Sequence, residues 1–388
     1  MNIAIFTNLI GGHHLEYIHH VYEMAMRDMV NHYFFILPQK FNEIKNHFEW
    51  PESVNIDFCF FDEVFETTTI SYFSQIICSY KICTLIKRYL RQYSCEILYV
   101  NTIMSILPMA PILLRSCNCK IFGIVYKIYL YDTKTSIFSF LANKIKYRLL
   151  SGSEVFSKVL VLNDNNGANI FNDTYSTKKF VAISDPFNKL PVYNTYDFRY
   201  KYDISRDMVV FAHLGVMSIN KSTIEILSSL RYLDDVEKRK YVFVFAGIVE
   251  EEIKTVFYSY VNKLEKDVRL IIKNEYCSYE DIASICKGCD ALLIPYRRTS
   301  QSSGIIGYAS QFGKPVIAPS NGLLGRLVKQ YGLGILIDEV TTDQLRDAYR
   351  RIYNKDYESP SLMYCEKHDV GQFQDVISTC INEIINNK

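Results

Sequence analysis

The sequence predicts an α/β protein of two domains, each a doubly wound parallel sheet covered by helices, the two facing across a cleft. Three observations predict it. Short, almost wholly apolar runs recur at βα spacing along the chain, and one polar, proline-containing stretch divides them into two sets. The 388 residues, 49% hydrophobic, also supply enough apolar material for two cores.

In chain order, NIAIFT, HYFFIL, EILYV, KIFGIV, KVLVL and KFVAI make the first set of strands, too apolar for a sheet with one wet face. Directly after the first comes NLIGGHHLEY, where Gly11 and Gly12 permit backbone conformations closed to other residues and let a ligand approach the next helix start. A tight βα turn without a ligand is the plainer reading, and the position at the expected cleft favours the ligand-binding one. His13 or His14, at that helix start, would point into the cleft as a proton donor or sugar contact; a solvated polar turn with His19 and His20 exposed is the alternative. Glu16 and His20 stand four apart on one helical face, but with no HExxH spacing and no further carboxylate ligand the pattern falls short of a metal site.

Residues 97–114, ILYVNTIMSILPMAPILL, are about long enough to span a bilayer. Asn101, Thr102 and Ser105 interrupt the run, and Pro108 and Pro111 would break a helix. It therefore reads as a buried strand ending near Asn101 followed by a short helix.

The stretch DPFNKLPVYNTYDFRYKYDISRD, residues 185–207, is rich in Pro, Asn, Asp and Tyr and holds no period. The first domain is accordingly set at 1–185, the connection at 186–207 and the second domain at 208–368. In the last, MVVFA, YVFVFA, VRLII, ALLIP, KPVIA and GILI repeat the strand theme. Ser222 with Glu225, and Thr341 with Gln344, match the spacing of capping boxes at helix starts. Residues 369–388 follow three-and-four apolar spacing and form a terminal helix that must dock, plausibly on the first domain.

In FAHLGVMSINKST, Gly215 follows a strand and Lys221 directly precedes the Ser222 cap, where its ammonium could reach an anion over the helix start. Arg297 and Arg298, after ALLIPY, are similarly placed. The run SQSSGIIGYASQFGKPVIAPSNGLLGRLVKQYGLG, residues 300–334, reads as a small-residue loop opening a helix, a buried strand and a second glycine-rich turn. Ser302, Ser303 and Gly304 carry little bulk, so a phosphate or diphosphate could approach the helix that Ile305 opens.

The 43 basic and 42 acidic residues leave a net charge of +1, without the electrostatic footprint of a nucleic-acid binder. The 11 cysteines form no even framework and the chain enters a strand pattern at once, so reduced thiols and a cytoplasmic setting are expected, with Cys286 and Cys289 as buried structural residues. Residues 81–93 and 140–150 combine basic and apolar positions at helical spacing, which would suit a membrane surface; ordinary packing helices with solvated basic faces are the other reading.

The segment CDALLIPYRRTSQSSGIIGYASQFGKPVIAPSNGLLGRLVKQYGLGILI resembles the signature region of GT-B glycosyltransferases of family four, with weaker echoes in the GG loop, ISDPFN and LGVMSINKS. The resemblance implies two Rossmann-like domains and transfer of a sugar, with retention and without a metal or other cofactor, from a nucleotide-sugar donor to a glycan or lipid-linked acceptor hydroxyl. By position Lys221 matches the family lysine on the donor diphosphate, and Ser302, Ser303 and Gly304 match the loop whose backbone also meets it. Four positions depart from the pattern: Val216 stands for the family arginine, Ser300 and Tyr308 for the paired glutamates, and Tyr126, with Lys127 beside it, for the first-domain histidine. A non-catalytic nucleotide-binding scaffold or partner of another transferase, and a sugar-nucleotide epimerase, are the two rivals to transfer.

Overall fold

The computed structural model describes residues 1–11, 13–65, 72–126, 128–129, 137–193 and 195–387, apart from the side chains of His13 and His47. The chain divides into two units, Met1–Pro186 with Asp369–Lys388, and Phe187–His368.

The first unit holds β1 (Asn2–Phe6), β2 (His32–Pro38), β3 (Ile56–Phe61), β4 (Ile97–Val100), β5 (Lys120–Val125), β6 (Phe156–Leu162) and β7 (Phe180–Ile183). They form one parallel sheet in the order β3-β2-β1-β4-β5-β6-β7. The second unit holds β8 (Val209–Leu214), β9 (Tyr241–Ala246), β10 (Arg269–Lys273), β11 (Ala291–Leu293), β12 (Val316–Pro319) and β13 (Gly334–Ile337). Its parallel order is β10-β9-β8-β11-β12-β13.

Strand period sends alternate side chains to opposite faces, and helices bury both. Ala4 and Phe6 join one apolar cluster, Ile3 and Ile5 the other. Every strand read from the sequence is present. The addition is β3, an edge strand whose exposed Asp57 and half-buried Phe58 and Phe60 dilute its apolar signal.

The terminal helix Val370–Asn386 lays Phe373, Ile377, Cys380, Ile381 and Ile384 into the cluster that holds Ile3 and Ile5. Gln374 Nε2 donates to the carbonyl of His20 at 2.9 Å. From Phe187 onward, the stretch read as the connection packs on the second unit. Phe198 is buried against Gly288, and the Arg199 guanidinium donates to the Gly288 carbonyl at 2.8 Å and to Asp290 at 2.6 Å.

Residues 97–114 fold as β4 and short helical turns, and no described helix is long and apolar enough to cross a membrane. Cys286 and Cys289 are fully buried at the end of the helix Tyr279–Gly288, and burial pushes the Cys289 thiol up to about 12. Thiols held this way are inert packing groups.

Candidate functional site

In each sheet the strand order reverses once, between β1 and β4 and between β8 and β11. Neighbouring loops at such a point leave in opposite directions, which opens a crevice beyond the carboxyl ends of the strands. Among the described residues singled out from sequence, Gly11 and His14 follow β1, Lys221 follows β8, and Arg297 and residues 302–304 follow β11; each is described within its own unit.

In the second unit, β8 ends at Leu214 and the chain turns at Gly215, whose φ is +88°. A Cβ at Gly215 would lie 2.7 Å from Lys221 Nζ. The lysine folds back over the glycine and donates to the Leu214 carbonyl at 3.3 Å, with its ammonium 5.3 Å from the centre of the Tyr296 ring. The half-buried Lys221 side chain is thus held at the carboxyl end of β8, not on an outer helix face. Gly247, at φ +138°, makes this possible, since a Cβ there would sit 2.1 Å from the Gly215 carbonyl oxygen. Sequence reasoning missed Gly247; its one signal was a glycine directly after the strand YVFVFA.

The loop from Gly215 to Lys221 is fixed by a buried chain of hydrogen bonds. His213 Nδ1–H donates to the Leu293 carbonyl at 2.9 Å, so Nε2 accepts from Thr223 Oγ1 at 3.0 Å, and Thr223 Oγ1 accepts the Ser218 N–H at 3.1 Å. Burial, with the Lys221 charge adding to it, lowers the His213 pKa to about 4, so the ring is neutral.

The expected capping box at Ser222 is not formed. Ser222 adopts φ +54° and makes no side-chain cap, and Glu225 instead pairs with Arg297. Arg297 therefore meets a carboxylate of its own unit, while its N–H donates to the Asn220 carbonyl at 2.8 Å. Ser222 Oγ, Glu225 Oε2 and Tyr296 Oη are buried without a partner among the described residues. Three buried polar atoms without partners are costly unless something polar completes them.

The 300–334 region is used differently from expectation at its far end. Gly304 and its neighbours Ser302 and Ser303 are half-buried before the helix Ile305–Gln311. Ser303 Oγ accepts the Ile305 N–H at 3.3 Å, and the Ser303 and Gly304 carbonyls accept from Ile306 and Gly307 at 3.1 Å each. The first donors of this helix thus already have partners. At the second glycine-rich turn, Leu323 and Leu324 both donate to the Thr299 carbonyl, at 2.7 and 3.2 Å. That helix start holds the chain's own loop in place of an anion. Thr341 does cap its helix through the Gln344 N–H at 3.4 Å, but the Gln344 side chain accepts from Asp338 and leaves the reciprocal half of the box unmade.

In the first unit, Gly11 has open space where a Cβ would stand, while Gly12, Lys127 and the His13 side chain lie outside the described residues. Around the ends of β1, β4 and β5, the fully buried Asn101 is the hub. Its Oδ1 accepts from Tyr126 at 3.1 Å and Tyr99 at 3.2 Å, so its Nδ2 faces His14 Nδ1, 3.4 Å away. The Tyr126 ring lies edge to His14 and stacks on Tyr17, whose hydroxyl donates to Asp185. Burial raises the Tyr126 pKa well above its ordinary value, so the group can donate a hydrogen bond but cannot act as a base near neutral pH. Asn101 entered the sequence reading only as an interruption in an apolar run; its polarity inside that run was the signal.

Donor atoms of His19, His20 and Glu23 lie within 4.8 Å of one another, the one such group that could hold a metal among the described residues. Neither histidine is exposed as the plain sequence reading had it. The His19 ring stacks on Phe48 and its Nε2 meets the Glu49 carbonyl at 3.0 Å, while His20 is buried beside Glu23 at 3.3 Å.

No family model matches the chain, and no curated protein matches it in sequence. Solved structures do match in fold over its whole length. Anabaena HepE in complex with UDP-glucose aligns with a TM-score of 0.70 at 15% identity, over 99% of this chain and 100% of that one. Sucrose-phosphate synthase from Thermosynechococcus elongatus aligns with a TM-score of 0.70 at 12% identity, over 100% and 99%. WaaG, a glycosyltransferase involved in lipopolysaccharide biosynthesis, aligns with a TM-score of 0.64 at 10% identity, over 97% and 98%. The two parallel-sheet units are those of the GT-B fold.

Proposed function

We propose that the chain is a glycosyltransferase that moves a sugar from a nucleoside diphosphate donor to a hydroxyl of a glycan or lipid-linked acceptor. The observation that carries this is the Lys221 ammonium, folded over Gly215 at the switch point of the second sheet, donating to the Leu214 carbonyl and lying 5.3 Å from the centre of the Tyr296 ring. In such a transfer the difficult charge appears on the departing diphosphate. A cation fixed there before reaction stabilises that charge without having to reorganise. The match in fold to HepE, solved with UDP-glucose, supports a nucleotide-sugar in this role.

The transfer proposed retains configuration, with no metal assigned to the step. The Asn101, Tyr126 and His14 cluster in the first unit is the proposed acceptor side, with Tyr126 as a hydrogen-bond donor rather than a base. One observation favours the scaffold alternative: Arg297 is already paired with Glu225, which takes a second cation away from the donor. Incubation with a panel of nucleoside diphosphate sugars and simple acceptors separates the readings. Transfer that falls on Lys221→Ala supports an enzyme, tight binding without turnover supports a scaffold, and a changed donor sugar without acceptor supports an epimerase.

A further inference from the structure

Two helices of the first unit, Tyr72–Gln92 and Ile137–Gly152, contain no acidic residue, although the chain as a whole is balanced at 43 basic to 42 acidic. Both show the same exposed stripe. Phe73, Ile77 and Tyr80 lie at the i, i+4, i+7 positions of the first, and Phe138, Leu141 and Ile145 at i, i+3, i+7 of the second, all exposed. Phe73 is 71% exposed and Phe138 85%. Further along, the stripes turn basic, through Lys81 and Arg88 in one and Lys144 and Arg148 in the other. Lys146 Nζ donates to Gln75 at 2.9 Å, which sets the apolar part of the first helix beside the second.

The rest of the first helix has a packed side, with Ile82, Leu85, Ile86 and Leu90 buried, so the stripe is its opposite face. In the second helix none of the residues 137–146 is buried. Side chains of this size expose an area on the order of several hundred Å², as large as the biggest apolar patch of an ordinary monomer. Arg88 meets Glu63 at 3.5 Å, whereas Lys81, Lys144 and Arg148 form no ion pair among the described residues. Uncovered aromatic and aliphatic groups with cations beside them, and no carboxylate on either helix, complement a surface that is apolar below and anionic above.

We infer that this face docks on the surface of an anionic lipid bilayer, with Phe73 and Phe138 entering the acyl boundary and the lysines and arginines lying among the lipid phosphates. Each basic residue at such a surface strengthens partitioning about fivefold, and salt weakens it. The inference stands on the first unit alone and does not use the donor reading.

Flotation of the full chain with vesicles of phosphatidylcholine, with and without phosphatidylglycerol, tests it. Binding to the anionic vesicles at least about tenfold tighter than to the neutral ones, and weakened in high salt, is expected. The double variant Phe73→Ser/Phe138→Ser should lose at least about tenfold of that binding. Lys81→Glu/Arg148→Glu should lose it too, both variants with unchanged circular dichroism. Equal binding to both vesicles, no binding, or wild-type binding by the folded serine variant would overturn the inference. So would light scattering that finds a dimer which the serine variant turns into monomer, because the face would then belong to a second copy of the chain.

Discussion

Gly215→Ala strikes the loop and the cation together. At φ +88° a residue with a Cβ is strained, a cost of about 1–2 kcal/mol. The new methyl carbon would also stand 2.7 Å from Lys221 Nζ, closer than real contacts allow. Since Nζ is the free end of a flexible chain, the lysine moves and the backbone stays. The ammonium then leaves the place assigned to the diphosphate, and loss of one such pre-placed group costs roughly a hundred- to a thousand-fold in turnover. Urea denaturation should report about 1–2 kcal/mol lost stability with an unchanged m-value. Steady-state sugar transfer should fall by the larger factor. If both effects run through one ammonium, adding Gly215→Ala to Lys221→Ala should lower turnover by less than about threefold. Full turnover in the destabilised glycine variant, or independent losses that multiply in the double variant, would refute the reasoning.

His213 is neutral in the fold with its pKa at about 4, so it binds a proton more readily when unfolded, near 6.5. Its contribution is whole above that value and is lost as pH falls through the lower one, roughly 3 kcal/mol in all. His213→Gln should flatten the stability profile across this window, and an unchanged slope would remove the histidine from the account. Glu237, buried beneath Arg346 at 3.0 Å and Arg350 at 2.6 Å, keeps its carboxyl below the ordinary range. Burial works the other way, but the Asp234 N–H and the two guanidinium groups outweigh it. Glu237→Gln should cost about 3 kcal/mol at neutral pH by chemical denaturation. The difference from wild type should shrink as acid protonates the carboxylate, and equal stability at pH 7 would contradict the pairing. Tyr126→Phe removes one of two donors to Asn101, so stability should fall by only about 1 kcal/mol while transfer drops about tenfold or more. Wild-type transfer rates would take Tyr126 out of the chemistry.

The strands and the two units were legible because parallel strands buried on both faces leave continuous apolar runs. β3 escaped because an edge strand need bury less, and Asp57 stands in the middle of it. Local patterns failed where distant partners compete. Ser222 and Glu225 have the spacing of a capping box, yet Arg297 lies beside Glu225 only once β8 and β11 are neighbours, and its charge takes the carboxylate. Thr299 reaching the helix start at Leu323 is likewise a product of the fold, not of either segment. Lys221 and Gly215 could be picked out because a glycine after a strand and a lysine before a helix carry local meaning. The hub at Asn101 needed three strands side by side before its role could be seen.

Calorimetric titration of wild type and Lys221→Ala with UDP and the other nucleoside diphosphates addresses the central claim most directly. Saturable binding of at least one diphosphate, weakened about tenfold or more by the substitution and with little change for the matching nucleoside, is the expected result. Equal affinity of both proteins for every diphosphate, or no binding by wild type, would contradict it.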